Sequence, residues 1–212
     1  MVNYLEYAYS DEEGELICKT AREAVDAIVK KNEKIKVPKN VPEILKRSSG
    51  VFVTLNKLTS PNTHQLRGCI GHPYPDSPLI EATIDSAISA ALRDPRFPPV
   101  RPNELDKIIV EVTILTPPEK IQAYSPDDYI KNIVIGRDGL IVSKGFFRGL
   151  LLPQVPVEWK WDINEFLNHT CLKAGLPPNT WRLDGSIEIF KFRGEIFQET
   201  EPYGKIIRKK IE

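Results

Sequence analysis

The chain has 212 residues, 41% of them hydrophobic, which is enough to bury an ordinary core without disulfide or metal staples. Lys plus Arg and Asp plus Glu number 29 each, so no global field draws the protein to nucleic acid or to a membrane surface, and any phosphate recognition must be local. Three widely spaced cysteines in no zinc pattern, an N-terminus without a basic-then-apolar leader, and no apolar run near the roughly 20 residues of a spanning helix lead us to expect a cytoplasmic protein with reduced thiols and no membrane partner.

Ser10 and Glu13 form a capping box, and Leu16/Ile17, Ala21, Ala24/Val25 and Ile28 recur at helical spacing, which predicts an amphipathic helix over 11–31. A basic connector with a short helical turn at "PEILK" follows. "VFVTLNKL" (51–58) then reads as a strand, "TSPNTHQ" as its turn and "LRGCI" as the returning strand. Ser77 before Pro78 predicts an N-cap, and Ile80, Ile84, Ala87/Ile88 and Ala91/Leu92 continue one face of a core helix ending near Leu92. After the loop "RDPRFPPVRPNELDK", "IIVEVTIL" (108–115) leaves little polar surface and predicts a strand covered on both faces.

The second half repeats this order. "GLIVSKG" and "FFRGLLLPQ" form a hairpin around Lys144-Gly145, with Arg137-Asp138-Gly139 as the turn before it. Asp162 and Glu165 box the start of a helix with its face at Ile163, Phe166/Leu167, Thr170/Cys171 and Ala174 and its stop at Gly175; "SIEIFKF" alternates as a strand. Both returning strands carry an apolar residue before Arg-Gly, at Leu66-Arg67-Gly68 and Phe147-Arg148-Gly149. The fold class is therefore α+β, a mainly antiparallel sheet with packed helices, with the order of elements suggesting a duplicated hairpin–helix–strand unit in two lobes. The basic tail 204–212 is expected to flank this body or pack lightly on it.

Strand alternation puts Arg67 and Cys69 on one face, roughly 7 Å apart, with Leu66, Gly68 and Ile70 on the other. A guanidinium there would favour thiolate over thiol, the condition for a nucleophilic or redox-sensitive cysteine. Gly68 would allow close approach of backbone or ligand, and Gly71 a positive φ where the strand breaks. The plainer reading makes Cys69 a small buried hydrophobe beside a bulge. His64 and His72 flank the segment as bases or ligands, but nothing nearby completes a metal set, so no metal and no cofactor are expected. Asp94 and Arg96 follow the helix; Arg96 is either one half of a local ion pair or an anion clamp facing the Cys69 strand. Gln154 and Glu158 lie on a proline-broken stretch near Trp159 and Trp161, where a carboxylate beside tryptophan would be desolvated and suit acid–base work, or would be a rim charge. His169 is expected at the surface. No GxGxxG, Walker, GxSxG or paired zinc-ligand motif occurs.

"LRGCIG", "DPRFPPV", "EVTILTPPEKI", "GLIV", "RGLLLPQVPVEWKWD" and "FLNHTCLKAGLPPNTW", in that order over about residues 50–195, resemble the AMMECR domain family, named for a human chromosomal deletion region. The resemblance implies one AMMECR-type domain over 1–212 with an intracellular setting and an α+β fold. It also implies that Arg67, Gly68, Cys69 and Gly71 fall in the family's candidate active site and Glu158 in its second motif. Relatives often have Thr where His72 stands and some have His where Asp138 stands. Two functions are weighed. One is a cysteine-dependent enzyme acting on a nucleic-acid or nucleotide-like substrate, with Cys69, Arg67 and Glu158 catalytic and Gly68, Gly71, His72, Arg96 and Gln154 binding substrate. The other is a non-catalytic module binding a ligand or a protein partner, with Arg67 as anion contact.

Overall fold

The structure, a computed structural model, describes residues 9–60, 63–74 and 76–209. They form two compact units: the first covers 9–115 and 195–209, the second 116–194. The tip of the first hairpin, Pro61-Asn62, and tail residues 210–212 lie outside the described residues.

The first unit opens with α1 (Asp11–Lys31), held by the expected reciprocal Ser10–Glu13 box and closed by Asn32 in the left-handed region. The one-turn α2 (Glu43–Lys46) precedes β1 (Val51–Ser60) and β2 (Thr63–His72), an antiparallel hairpin longer than its apolar pattern predicts at both ends. Helix α3 (Leu79–Leu92) starts one residue later than expected, and Ser77 does not cap it. Pro78 instead bridges to Ser48, and the Leu79 N–H donates to the Arg47 carbonyl at 2.9 Å, so the first orphan donor of the helix is satisfied by the preceding chain. A 3₁₀ turn (Pro102–Lys107) leads into β3 (Ile108–Leu115), which pairs antiparallel with β1 and is buried along almost its whole length, as its apolar run predicts.

One face of this sheet is the core. Val51, Val53 and Leu55 of β1 and Val110, Val112 and Ile114 of β3 meet Ile17, Ala21 and Val25 of α1 and Ile80, Ile84 and Ala87 of α3. The tail contributes β8 (Ile206–Lys209), paired with the last residues of β7 (Glu188–Glu199). Glu199 is 2% exposed; it accepts from the buried Arg22 of α1 at 2.8 Å and from the Val110 N–H at 2.9 Å, so an ion pair ties helix, strand and tail together.

In the second unit, β5 (Asp138–Lys144) and β6 (Phe147–Leu151) form a hairpin on Gly145, at φ +59°, and β5 also pairs with the first half of β7. The two-residue β4 (Glu119–Lys120) pairs with β7 as well. The Asp162–Glu165 box starts α6 (Ile163–Lys173), whose Phe166, Leu167 and Cys171 pack with Leu140, Val142, Trp181 and Ile189 in a second core. The short helices α4 (Pro126–Asn132), α5 (Gln154–Glu158) and α7 (Thr180–Leu183) carry too few apolar positions to show a helical period in the sequence.

The repeat of hairpin, helix and strand is present in the pairing itself. In each unit the first hairpin strand lies between its partner and the closing strand, as β2–β1–β3 and as β6–β5–β7. The shared Arg-Gly has a packing cause. A Cβ on Gly68 would stand 2.2 Å from the Ala90 carbonyl oxygen of α3, and one on Gly149 would stand 2.3 Å from the Ala174 nitrogen at the end of α6. Each unit lays its helix so close to the second strand that only glycine fits beneath it.

Candidate functional site

Strand β2 begins the strand order, so one row of its backbone groups has no neighbouring strand. The loop after α3 fills that role at the middle of the motif. The Cys69 N–H donates to Asp94 Oδ2 at 2.8 Å, and Arg96 Nη2 donates to the Cys69 carbonyl at 3.2 Å. Arg96 in turn holds Asp94 through Nε (2.9 Å) and Nη2 (2.7 Å). Asp94 is 4% exposed, and the Arg96 guanidinium, followed by these N–H donors, keeps its carboxyl well below the usual carboxylate range. Arg96 is thus in the local ion pair with Asp94, and its guanidinium also faces the Cys69 strand.

Arg67 departs from expectation. The β1–β2 register jumps from Leu55↔Gly68 to Asn56↔Leu66, leaving Arg67 as the extra residue of a bulge, so simple alternation fails at that point. Its guanidinium turns to the 3₁₀ turn, donating through Nε and Nη2 to the two Glu104 carboxylate oxygens at 3.0 Å each, with Phe97 beneath it. The paired Arg67, with Lys57 nearby, holds Glu104 ionised down to about 2. Arg67 is 8% exposed, and its Nη1 is buried without a hydrogen-bond partner.

The Cys69 sulfur is half-buried and accepts the Thr54 hydroxyl at 3.3 Å across the strand pair. Burial raises its pKa; Thr54 and Arg96 act in the opposite direction, while Glu111 and Asp94 add to the rise. The charge beside this thiol is therefore Arg96, not Arg67, and the net effect keeps it protonated. Cys18 and Cys171 are fully buried, and burial raises both thiols too.

The two flanking positions also differ from the sequence reading. His72 pairs with Val51, on the α3 side of the strand, where Nδ1 meets the Ser86 hydroxyl at 2.9 Å; it does not share the face of Cys69. Gly71 has no positive φ, because β2 runs on to His72; its lack of a side chain admits the Phe52 ring, 2.4 Å from where a Cβ would be.

The face of the sheet opposite α1 and α3 carries a feature that no motif announced. A cavity of about 430 Å³ is lined by Asn56 of β1, His64 of β2, Gln198 of β7, and Ile207 and Lys209 of β8. The register places all five on this face, since Asn56 and His64 share the parity of Thr54, while Phe197 and Glu199 point to the core. Gln198 Oε1 is buried there with no hydrogen-bond partner among the described residues. Lys209 reaches Glu111 at 3.1 Å. Of these residues the sequence marked only His64. The others come from three distant strands, and only the unexpected pairing of the tail as β8 assembles them.

In the second unit, Gln154 and Glu158 are one turn apart on α5, which makes them neighbours on one helix face. Glu158 is exposed, as the rim-charge alternative has it, and Pro156 is the buried residue of this helix. Gln154 Oε1 is buried and unpartnered. Asp138 is 1% exposed and fully used by Arg137 (2.8 and 2.6 Å) and the Val134 N–H (2.9 Å). His169 stacks on Trp161 with ring centroids 3.8 Å apart. Among the described residues, no group of three or more His, Cys, Asp or Glu could hold a metal ion, and no helix is long and apolar enough to cross a membrane.

A family model described as AMMECR1 matches residues 18–197, which adds α1 from Cys18 onward to the stretch in which the sequence motifs lie. A protein from Thermococcus gammatolerans is 53% identical over 205 residues, 97% of this chain and 99% of that one. Protein MJ0810 from Methanocaldococcus jannaschii is 52% identical over 200 residues, 94% and 96% of the two chains. A crystal structure of the uncharacterised protein PH0010 from Pyrococcus horikoshii superposes with a TM-score of 0.83 at 52% identity, over 96% of this chain and all of that one. None of these names states an activity.

Proposed function

The chain belongs to the AMMECR1 family, and from that premise we propose that it is a cytoplasmic, non-catalytic module that binds a small nucleotide-like ligand in the cavity on the sheet face of its first unit opposite α1 and α3. The observation that carries this reading is the buried, unpartnered Gln198 Oε1 at a cavity of about 430 Å³. Buried acceptors without partners are few in native proteins, and this one stands ready for a ligand N–H. The volume lies in the range of small-molecule sites. Asn56 adds an amide, Ile207 an apolar wall, His64 an imidazole and Lys209 an ammonium. Both Arg67 and Lys209 are paired with a carboxylate, Glu104 and Glu111, but Lys209 is the half-exposed one at the cavity, so the anion contact is assigned to it.

The cysteine-enzyme reading needs an ionised sulfur, and burial opposes ionisation at Cys69. It also needs Arg67 as the partner charge, which the bulge turns elsewhere. Those two facts favour binding over nucleophilic chemistry.

The test is a titration of ¹⁵N-labelled protein with AMP and, separately, with inorganic phosphate. Saturable shifts confined to Asn56, His64, Gln198 and Lys209, lost in Gln198→Met, are expected with AMP. Absence of saturable shifts with either compound at millimolar concentration, or shifts that survive Gln198→Met, would overturn the assignment.

A further inference from the structure

Helix α5 ends in a hydrogen-bond pattern that normally calls for glycine. Lys160 N–H donates to the Val157 carbonyl (3.2 Å) and Trp161 N–H to the Pro156 carbonyl (2.9 Å), the paired bonds of a Schellman cap. Helix α6 closes in the same way, through Gly175 N–H to Leu172 and Leu176 N–H to Cys171, and there the left-handed position is Gly175 at φ +78°. After α5 the same position is Lys160, at φ +55°. A residue with a Cβ is held in a conformation that glycine would take without strain.

This turn arranges the two tryptophans on either side of Lys160. Trp159 and Trp161 stack with centroids 6.1 Å apart and planes 20° apart, and Trp161 stacks on His169 at 3.8 Å and 1°. Trp161 thus stacks with two rings, the half-buried His169 and Trp159, which is 67% exposed. Trp181, by contrast, is 2% exposed and donates its indole N–H to Asn168. An indole left largely in water offers a flat π-face to another planar ring. Of the neighbouring charges, Asp162 and Glu165 are committed to the cap of α6. Lys160 has no ion pair among the described residues, and Glu158 is an exposed carboxylate directly beside the platform.

We propose that Trp159 is a stacking platform for an unpaired nucleobase, with Lys160 meeting the adjoining phosphodiester. Stacking of bases on aromatic side chains beside a lysine is the general mode by which single strands are held without sequence preference. It also gives a reason for a lysine where the backbone favours glycine: a glycine there would relax the turn and remove the charge. The site is in the second unit and does not depend on the Gln198 cavity.

The experiment is quenching of tryptophan fluorescence in the full chain by oligothymidylate, read from Trp159 and Trp161 because Trp181 is shielded. Saturable quenching is expected. Trp159→Ala should weaken binding about tenfold, within the usual worth of one stacked base. Lys160→Gly should raise the melting temperature yet weaken binding and reduce the slope of log K against log salt by about 0.7, one phosphate contact on a single strand. Glu158→Gln should tighten binding, and Gln198→Met should leave it unchanged. Absence of quenching, unchanged affinity in Trp159→Ala, or quenching by a β-linked glucose oligosaccharide but not by the oligonucleotide would overturn the proposal.

Discussion

Replacing Glu104 by Gln separates the two readings of Arg67 most directly. The carboxylate accepts two N–H groups of Arg67 at 3.0 Å, and the two side chains are 10% and 18% exposed. Glu104 titrates at about 2 instead of its ordinary 4.5. At about 1.4 kcal/mol per pH unit, keeping it ionised contributes about 3 kcal/mol at neutral pH. Glu104→Gln also leaves the buried guanidinium without a counter-charge, and breaking such a pair from one side costs about 3–5 kcal/mol. In urea, with a slope near 2–3 kcal/mol/M, the midpoint should fall by about 1 M or more. Arg67→Met should cost a comparable amount, and the double variant Arg67→Met/Glu104→Gln should cost clearly less than the sum. The sign with pH is fixed by the lowered pKa: the contribution is complete above about 4.5 and is lost as pH falls toward 2. The Glu104→Gln variant must therefore have a shallower acid limb over that interval, the part remaining in it including Asp94, which is lowered in the same direction. A loss below about 1 kcal/mol, typical of exposed pairs, would refute the reasoning and return Arg67 to the pool of side chains available to an anion.

Gly68→Ala and Gly149→Ala should each lower the melting temperature strongly, because the new methyl would overlap backbone atoms at 2.2 and 2.3 Å, while Gly185→Ala, with nothing within 4 Å, should leave it unchanged. Equal tolerance at the three sites would remove the packing account of the repeated Arg-Gly. Iodoacetamide at pH 7 should label Cys69 more slowly than a thiol of the unfolded chain, and Cys18 and Cys171 only on unfolding, since burial raises all three but leaves Cys69 half-open. Rapid labelling of Cys69 at pH 6 would revive the nucleophile.

How much of this was legible in the sequence depended on what kind of signal each element left. Helices α1 and α6 announce themselves twice, by apolar period and by a capping box, and β3 by an unbroken apolar run; all three stand where the residues place them. Ser77 before Pro78 looked like a cap and is not one, because the decisive hydrogen bond comes from Arg47, thirty-two positions before Leu79 and invisible to a local pattern. The candidate site failed in the same way at Arg67. Alternation is a sound rule on a regular strand, but one inserted residue redirects the side chain at that point; the plainer reading already set a bulge beside Cys69, and what the sequence does not show is that its extra residue is Arg67. The cavity around Gln198 was unreadable for a further reason: its lining comes from strands β1, β2, β7 and β8, and the last of these lies in a tail whose charges suggested a solvated end.

In the segment "LRGCIG", Arg67, Gly68, Gly71 and the Cys69 backbone each answer a constraint set by a neighbour outside it. Arg67 leaves the ladder to satisfy Glu104 and thereby fastens the 3₁₀ turn to the hairpin. Gly68 gives up a side chain so that Ala90 of α3 can lie against the strand, and Gly71 does the same for Phe52 of β1. Cys69 contributes its backbone, both of whose polar groups are taken by Asp94 and Arg96 on a strand edge that would otherwise be open to pairing with another chain. Its sulfur is not required by any of these constraints, since serine could accept from Thr54 equally well. A Cys69→Ser change should therefore keep the fold, and whatever it alters must be traced to the thiol rather than to the architecture around it.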